Sequence, residues 1–212
     1  MKNSVIRSSK IILLSLGFCI CLASLSLAAK DSCLAEDINS LQAYDMVTNA
    51  KEGTTFLLDV RTPEEYQLIG HAPMAYNIPV MFLSDEFVAK GGQFRGKKVT
   101  KTRYQYYLNP DFVAEVAKKF KKTDTLLVTC RSGNRSVPAV NLLVKNGFTN
   151  VYNIRDGVEG GKFYGQGENK ALMKKYSTFY GHRNHVEGWK FYGLPYTYHM
   201  NPKYIYEPHI KK

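Results

Sequence analysis

The sequence predicts an α/β fold in which helices cover both faces of an open, mainly parallel sheet. Three short runs of apolar and β-branched residues carry this prediction, at 54–60, 125–129 and 150–154. Nearly continuous apolar runs of this length are typical of strands that are buried on both faces. Segments with helical periodicity lie between the runs, and this alternation favours parallel strands joined by crossover helices.

Three segments have the spacing of apolar residues that amphipathic helices show, and a fourth has the residues that begin a helix. We predict helices at 38–50, from residue 62 onward, at 111–120 and at 137–147. Ser40 is the expected N-cap of the first helix. Thr62 is the expected N-cap of the second, where Pro63 and two acidic residues follow in the first turn.

Residues 130–136 connect a predicted strand to a predicted helix, and their sequence is Cys-Arg-Ser-Gly-Asn-Arg-Ser. The unpaired N–H groups at the start of a helix and the positive end of its dipole stabilise an anion. We therefore expect Cys130 to be a thiolate nucleophile at neutral pH. Arg131 and Arg135 add positive charge, and Gly133 allows a tight turn that points N–H groups inward.

Two residues at the end of the first predicted strand support this loop. Asp59 and Arg61 lie at the edge where open α/β sheets bind their ligands. We expect Asp59 to be a structural carboxylate held by Arg61, while the loop arginines bind the oxygens of a substrate; the alternative is that a loop arginine pairs with Asp59. The candidate site residues are the nucleophile Cys130, the loop residues Arg131, Ser132, Gly133, Asn134, Arg135 and Ser136, and the supporting residues Asp59 and Arg61.

Four segments together resemble the rhodanese family. The loop 130–136 with its flanking strand and helix resembles the active-site segment of single-domain rhodaneses, which are sulfurtransferases that carry a persulfide on cysteine. Residues 57–66 and 70–79 resemble the two N-terminal signatures of the family, and 188–195 resembles its last feature, a Gly-Trp followed by a Gly-Leu-Pro. The resemblance covers most of 36–197 and implies an open sheet of about five mainly parallel strands.

The resemblance implies a sulfurtransferase. In this reaction Cys130 takes a sulfane sulfur from a small anionic donor such as thiosulfate and holds it as a persulfide, which cyanide or a thiol then accepts. A protein is an alternative sulfur acceptor. We predict no cofactor and no metal, because His182 and His185 lie in an aperiodic segment without a third ligand at suitable spacing. We expect no nucleic-acid partner, because the chain has no recognition motif.

Two other functions stay open on the sequence. Phosphatases and arsenate reductases also use a cysteine-headed anion loop, but they need an arginine six residues after the cysteine to wrap a tetrahedral oxyanion. Here Ser136 occupies that position and Arg135 precedes it, so the shorter loop favours a sulfur atom. The remaining alternative is a sulfur-sensing or protein-binding module with little turnover, whose pocket is closed to small donors.

Two segments depart from the family pattern and are interpreted as insertions. The first, 84–109, is rich in Gly, Lys and Tyr and has neither a clean helical nor a clean strand pattern. The second, 158–187, separates two motifs that are nearly adjacent in the family. Both follow predicted strand ends, so we expect them beside the mouth of the Cys130 pocket, where they restrict which sulfur donors enter. The alternative is that they pack on the back of the sheet or pair with another subunit.

Residues 1–28 have the pattern of a secretory signal peptide. Three basic residues precede an uncharged apolar run at 11–27, and small residues lie at the positions that determine cleavage. An uncleaved membrane anchor is the alternative, and it would be the only contact with a membrane. The chain has a formal charge of +11, and losing three basic and no acidic residues leaves +8. We therefore expect a basic, exported protein, periplasmic in a Gram-negative cell, that attracts small anions.

The mature chain would have a short segment, 29–35, before the predicted domain and a tail, 198–212, after it. Two of the four cysteines lie within 1–28, so Cys33 and Cys130 remain. A disulfide between these two would silence the nucleophile. We expect Cys33 to be free or to pair with another molecule, and a resolving role is the alternative.

We expect cleavage near Ala28, which would release a mature chain that begins at about Ala29. N-terminal sequencing of the protein from the envelope fraction of a Gram-negative host tests this expectation. A chain that keeps Met1 and sediments with the membranes would support the anchor instead.

Overall fold

The computed structural model describes residues 33–165, 167–206 and 208, so the predicted signal peptide lies outside the described residues. The strands are β1 (Glu36–Ile38), β2 (Thr55–Asp59), β3 (Tyr76–Asn77), β4 (Met81–Val88), β5 (Gln93–Phe94), β6 (Lys97–Lys98), β7 (Arg103–Leu108), β8 (Thr125–Thr129) and β9 (Asn150–Ile154). The helices are α1 (Ser40–Asn49), α2 (Pro63–Ile69), α3 (Phe112–Lys119), α4 (Ser136–Lys145) and α5 (Lys170–Tyr176), with short 3-10 helices at Gly167–Asn169 and Pro202–Tyr204. No helix within these residues combines the length and hydropathy that a membrane span needs.

The central sheet has the strand order β1-β9-β8-β2-β3, and every neighbouring pair is parallel. The predicted open α/β sheet is therefore confirmed, and β8 lies in its middle, between β9 and β2. Because the strands are parallel, their carboxyl ends lie at one edge of the sheet. The predicted site residues that follow β2 and β8 thus lie at the same edge.

Helices cover both faces of this sheet, as predicted. Leu57 and Leu127 project into the apolar core formed with α1 and α2. Leu58, Leu126 and Val128 project into the opposite core, formed with α3 and α4. Successive side chains of a strand point to opposite faces, so a strand that is buried on both sides is apolar throughout.

The starts of the first two helices follow capping chemistry, with one correction. Thr62 caps α2 as predicted. The prediction that Ser40 caps α1 is wrong: the cap is Asn39, whose side chain accepts a hydrogen bond from the backbone N–H of Gln42. The hydroxyl of Ser40 is buried and donates to Asp156 at 2.9 Å, so a tertiary partner occupies it.

The predicted insertion at 84–109 is an antiparallel ribbon of β4 and β7, with the β5–β6 hairpin between them. The pairing register shifts between Leu83 and Phe87. This irregularity interrupts the alternation of apolar and polar residues by which strands are identified in a sequence. Arg95 and Gly96 both have positive φ angles, 47° and 74°, as the two central residues of a type I′ hairpin turn do.

The predicted insertion at 158–187 leaves the sheet and returns to it at one point. A Cβ at Gly160 would lie 1.9 Å from the carbonyl oxygen of Glu187, so the two ends of the segment are in close contact. The backbone N–H of Trp189 donates to the carbonyl of Gly157 at 2.9 Å. The motifs that this segment separates along the chain are therefore adjacent in space.

The C-terminal residues pack on the domain. Trp189 is 2% exposed, and its indole N–H donates to the carbonyl of Pro195 at 2.9 Å. His71 and Thr197 exchange backbone hydrogen bonds of 2.9 and 2.7 Å. Tyr206 is buried in the core that α3 and α4 form.

A buried ion pair closes the end of β2, as predicted for Asp59. The Nε of Arg61 donates to both carboxylate oxygens of Asp59 at 3.0 Å, and its Nη2 donates to Oδ2 at 2.6 Å. Nη2 also donates to the carbonyl of Gly70 at 2.9 Å, which ties the strand end to the loop after α2. Burial by itself would lower the pKa of Arg61, but the charge and hydrogen bonds of Asp59 raise it above its ordinary value.

Asp59→Ala is expected to lower the free energy of unfolding by about 3–5 kcal/mol, because it leaves a buried guanidinium without its counter-charge. Urea unfolding at neutral pH measures this loss. Asp85→Ala, at an exposed position, is the control and should change stability by less than about 0.5 kcal/mol. A loss below about 1 kcal/mol for Asp59→Ala would contradict the structural role of the pair.

Candidate active site

Cys130 lies at the carboxyl end of the central strand β8 and lines an open cavity of about 380 Å³. Its side chain is 1% exposed, and its Sγ lies 3.5 Å from the Oγ of Ser136, the first residue of α4. The Ser136 hydroxyl donates to the carbonyl of Gly133 at 3.1 Å. The sulfur is thus held between a strand end and a helix start, as the sequence predicts.

Two glycines let the cysteine loop, residues 130–136, lie against the turn after β9. Gly133 has a φ of 78°, and a Cβ there would lie 2.0 Å from the carbonyl oxygen of Arg155. Gly157 has a φ of 62°, and a Cβ there would lie 2.6 Å from the carbonyl oxygen of Cys130. Any other residue at either position would strain the backbone and collide with the facing chain. The predicted turn at Gly133 is therefore confirmed.

Backbone hydrogen bonds join the cysteine loop to the same turn. The N–H groups of Val158 and Glu159 donate to the carbonyls of Cys130 and Arg131, each at 2.9 Å. Among the described residues, no backbone acceptor pairs with the N–H groups of residues 131–135. Unpaired N–H groups in a tight loop before a helix are suitable donors for a bound anion.

Both arginines of the cysteine loop are paired with carboxylates. The Nε of Arg131 donates to Glu159 at 2.5 Å. Arg135 makes a bidentate pair with Glu65 of α2, with N···O distances of 2.5 and 2.7 Å. The alternative that a loop arginine pairs with Asp59 is wrong, because the ion pair at the end of β2 already occupies both oxygens of that carboxylate.

The pair of Glu65 and Arg135 joins α2 and α4, which cover opposite faces of the sheet. The two side chains are 15% and 18% exposed. Burial by itself would raise the pKa of Glu65, but the hydrogen bonds and charge of Arg135 outweigh it and lower that pKa below its ordinary value. A backbone hydrogen bond from Thr62 contributes in the same direction. The pKa of Arg135 is raised against the effect of burial, because Glu65 stabilises its charged form.

Some of the predicted site residues line the cavity and others do not. Five of them line it: Cys130, Arg131, Ser132, Asn134 and Arg135. Gly133 and Ser136 do not line it but hold the shape of the loop. Asp59 and Arg61 brace the end of the neighbouring strand and do not line the cavity either.

The cavity is also lined by six residues that were not predicted as site residues. They are Glu65, Met81, Lys101, Arg103, Tyr106 and Arg183. Three of them belong to the first predicted insertion and one to the second, so both segments lie beside the pocket as predicted. The sequence indicated this position because each segment follows the end of a predicted strand. That signal identifies an edge of the sheet but not the side chains that reach the sulfur.

Two other reactive groups do not line the cavity. His71 is 2% exposed and stacks on the ring of Tyr66 with centroids 3.5 Å apart, and burial lowers its pKa. Cys33 is free, half-buried and packed against the core of α3 and α4. The described residues contain no group of three side chains that could hold a metal ion.

Glu65→Gln is expected to remove part of the acid sensitivity of the fold. Because the pKa of Glu65 is lowered in the folded chain, its carboxylate stabilises the fold above about pH 4.3, and this contribution is lost as pH falls through the folded value. Chemical denaturation should give the wild type a free energy of unfolding that is roughly 1–3 kcal/mol higher than that of Glu65→Gln at neutral pH. This difference should shrink in acid. Glu64→Gln, at the exposed neighbouring position, is the control. A difference in the free energy of unfolding that does not change with pH would contradict the link to the titration of Glu65.

Comparison with known proteins identifies the family of the domain. Residues 42–162 match the family model of the rhodanese-like domain. The chloroplastic thiosulfate sulfurtransferase 16 of Arabidopsis thaliana is 32% identical over 129 residues, which cover 61% of this chain and 88% of that protein. The senescence-associated protein DIN1 of Raphanus sativus is 35% identical over 100 residues, which cover 47% of this chain and 44% of that protein. The chain thus spans less than half the length of the second relative.

The fold is also found in a solved structure. The crystal structure of Rv0390 from M. tuberculosis superposes with a TM-score of 0.53 at 26% identity, covering 78% of this chain and 98% of that chain. The match to the family model extends over more than half of the sequence. It confirms what the cysteine loop and the N-terminal signatures predicted: this chain belongs to the rhodanese-like domain family.

Proposed function

We propose that the protein is a sulfurtransferase that carries a sulfane sulfur as a persulfide on Cys130. The observation that carries the proposal is the position of the Cys130 sulfur, in an open cavity beside a loop whose N–H groups at 131–135 have no backbone acceptor among the described residues. Such donors stabilise a negatively charged sulfur, whether thiolate or persulfide. A relative that is itself named a thiosulfate sulfurtransferase supports the same class of reaction.

The first half-reaction loads the enzyme. The thiolate of Cys130 attacks the outer sulfur of an anionic donor such as thiosulfate, and a new S–S bond forms. The bond between the outer sulfur and the sulfonate sulfur breaks, and sulfite leaves with the bonding electron pair. The enzyme becomes Cys–S–S⁻, and the loop N–H groups are the donors for its terminal sulfur.

The second half-reaction returns the enzyme to its starting state. Cyanide or a thiolate attacks the terminal sulfur of the persulfide, the S–S bond breaks, and the electron pair stays on Cys130 as the thiolate. The products are thiocyanate or a new persulfide. Neither step moves a proton at the reacting sulfur, so the cycle needs no general base, and the burial of His71 away from the cavity is consistent with it.

Two observations favour this reaction over its alternatives. A phosphatase or arsenate reductase needs an arginine that is free to wrap an oxyanion, and here Arg135 is held by two hydrogen bonds to Glu65. A sensing or docking module would have a closed pocket, whereas the Cys130 cavity of about 380 Å³ has room for a small anionic donor.

The protein is further proposed to act outside the cytoplasm. Support comes from the order of basic, apolar and small residues in 1–28. Removal of that segment would leave a chain that is still basic, which suits small anionic donors.

Cys130→Ser is expected to abolish thiosulfate-dependent thiocyanate formation, by at least about 10³-fold, because it removes the nucleophile without adding bulk. Cys33→Ser is the matched control and should keep the wild-type rate. Mass spectrometry of the thiosulfate-treated wild type should find one added sulfur on the peptide that contains Cys130. Sulfur on Cys33 instead, or turnover that survives in Cys130→Ser, would contradict the proposal.

A further inference from the structure

Five cations line the Cys130 cavity, and two of them are neutralised within the protein. Arg131 and Arg135 are paired with carboxylates. Glu65, the carboxylate that lines the cavity, is engaged by Arg135. Within the described residues, no carboxylate forms a salt bridge with the other three, which we name the cation collar: Lys101, Arg103 and Arg183.

Two members of the cation collar, Arg183 and Arg103, are positioned by contacts with their surroundings. Arg183 donates from Nη1 to the carbonyl of Gly160, near the start of the second predicted insertion. The guanidinium of Arg103 lies 5.1 Å from the ring centroid of Tyr106. The guanidinium of Arg135 lies 5.9 Å from the same centroid, so Tyr106 lies between Arg103 and the cysteine loop.

We propose that the cation collar binds the sulfonate end of dianionic sulfur donors and selects them over donors with a single charge. This inference rests on the proposed sulfurtransferase function and adds the donor class and the residues that recognise it. A dianion and the Cys130 thiolate together bring three negative charges into the cavity. The loop arginines supply no net charge, because carboxylates offset them, so the three collar cations are the groups that balance this total.

The charge balance is the same before and after sulfur transfer. When Cys130 takes the outer sulfur of thiosulfate, sulfite leaves with the bonding pair and carries two negative charges, while the persulfide keeps one. The collar therefore stabilises bound thiosulfate and the sulfite that is still bound beside the persulfide to a similar degree. Interactions that are equally strong in the ground state and the transition state change KM more than kcat.

The test neutralises the collar by Lys101→Gln, Arg103→Gln and Arg183→Gln, singly and together. Steady-state kinetics are measured with thiosulfate, which is a dianion, and with benzenethiosulfonate, which is a monoanion. The triple variant should raise the KM for thiosulfate roughly 10- to 100-fold and change the KM for benzenethiosulfonate less than about threefold. Added salt should weaken the thiosulfate reaction of the wild type more than that of the triple variant.

The matched control is the combination of Lys90→Gln, Lys97→Gln and Lys98→Gln. It removes the same net charge from the first predicted insertion without touching a residue that lines the Cys130 cavity. Both KM values should stay within about twofold of the wild type. An equal rise in the KM for thiosulfate in the control would overturn the proposal. An unchanged KM for thiosulfate in the collar variant would overturn it as well. Thermal unfolding checks that each variant folds, and the single variants replace the triple if it does not.

Thiosulfate binding to Cys130→Ser, which cannot react, separates this inference from the proposed function. Calorimetry should detect binding that is lost when the collar is also neutralised. If the wild type forms no persulfide but this binding depends on the collar, the sulfurtransferase function fails and the anion subsite stands. If the wild type transfers sulfur but binding does not depend on the collar, the function stands and the collar proposal is overturned.

Discussion

The close approach of the cysteine loop to the turn after β9 is the constraint on which the site depends. Carbonyls of Cys130 and Arg131 accept hydrogen bonds from that turn, and Gly157 packs against them at a distance that leaves no room for a Cβ. In a planar trans peptide the C=O and N–H point in opposite directions. Fixing these carbonyls on the turn therefore directs the N–H groups of Arg131 and Ser132 away from it. One tight contact thus sets both the position of the sulfur and the direction of the donors around it.

Ion pairs fix the wall of the same cavity. Arg135 at the start of α4 reaches Glu65 on α2, so helices from the two faces of the sheet are joined above its edge. Arg131 is more exposed and donates from Nε alone to Glu159, which follows the turn after β9. A carboxylate partner offsets the charge of an arginine, so these two pairs bring little net charge to a ligand. The other three cations that line the cavity lie in the two predicted insertions.

Both of these segments reach the site for a topological reason. The β4–β7 ribbon follows β3, and the segment 158–187 follows β9, and in a parallel sheet these strand ends share one edge with Cys130. The second segment also returns where it began, since Trp189 bonds to Gly157. Additions of this kind can change the rim of the pocket while the two apolar cores and the cysteine loop keep their contacts.

The parallel sheet, the capped start of α2 and the loop that carries Cys130 could all be predicted from local sequence. These features have local signals: the apolar runs predicted at 125–129 and 150–154 coincide with β8 and β9, and Gly133 marks the turn. Local patterns did not separate Asn39 from Ser40 as a cap, because both can cap and only the partner at Asp156 decides between them.

The pairing of the charged side chains could not be predicted from local sequence. Arg135 and Glu65 are 70 residues apart in the chain, and Arg131 and Glu159 are 28 apart. No periodicity links positions at such separations; they pair because α2, α4 and the turn after β9 converge on one edge of the sheet. The same convergence brings the cation collar to the sulfur.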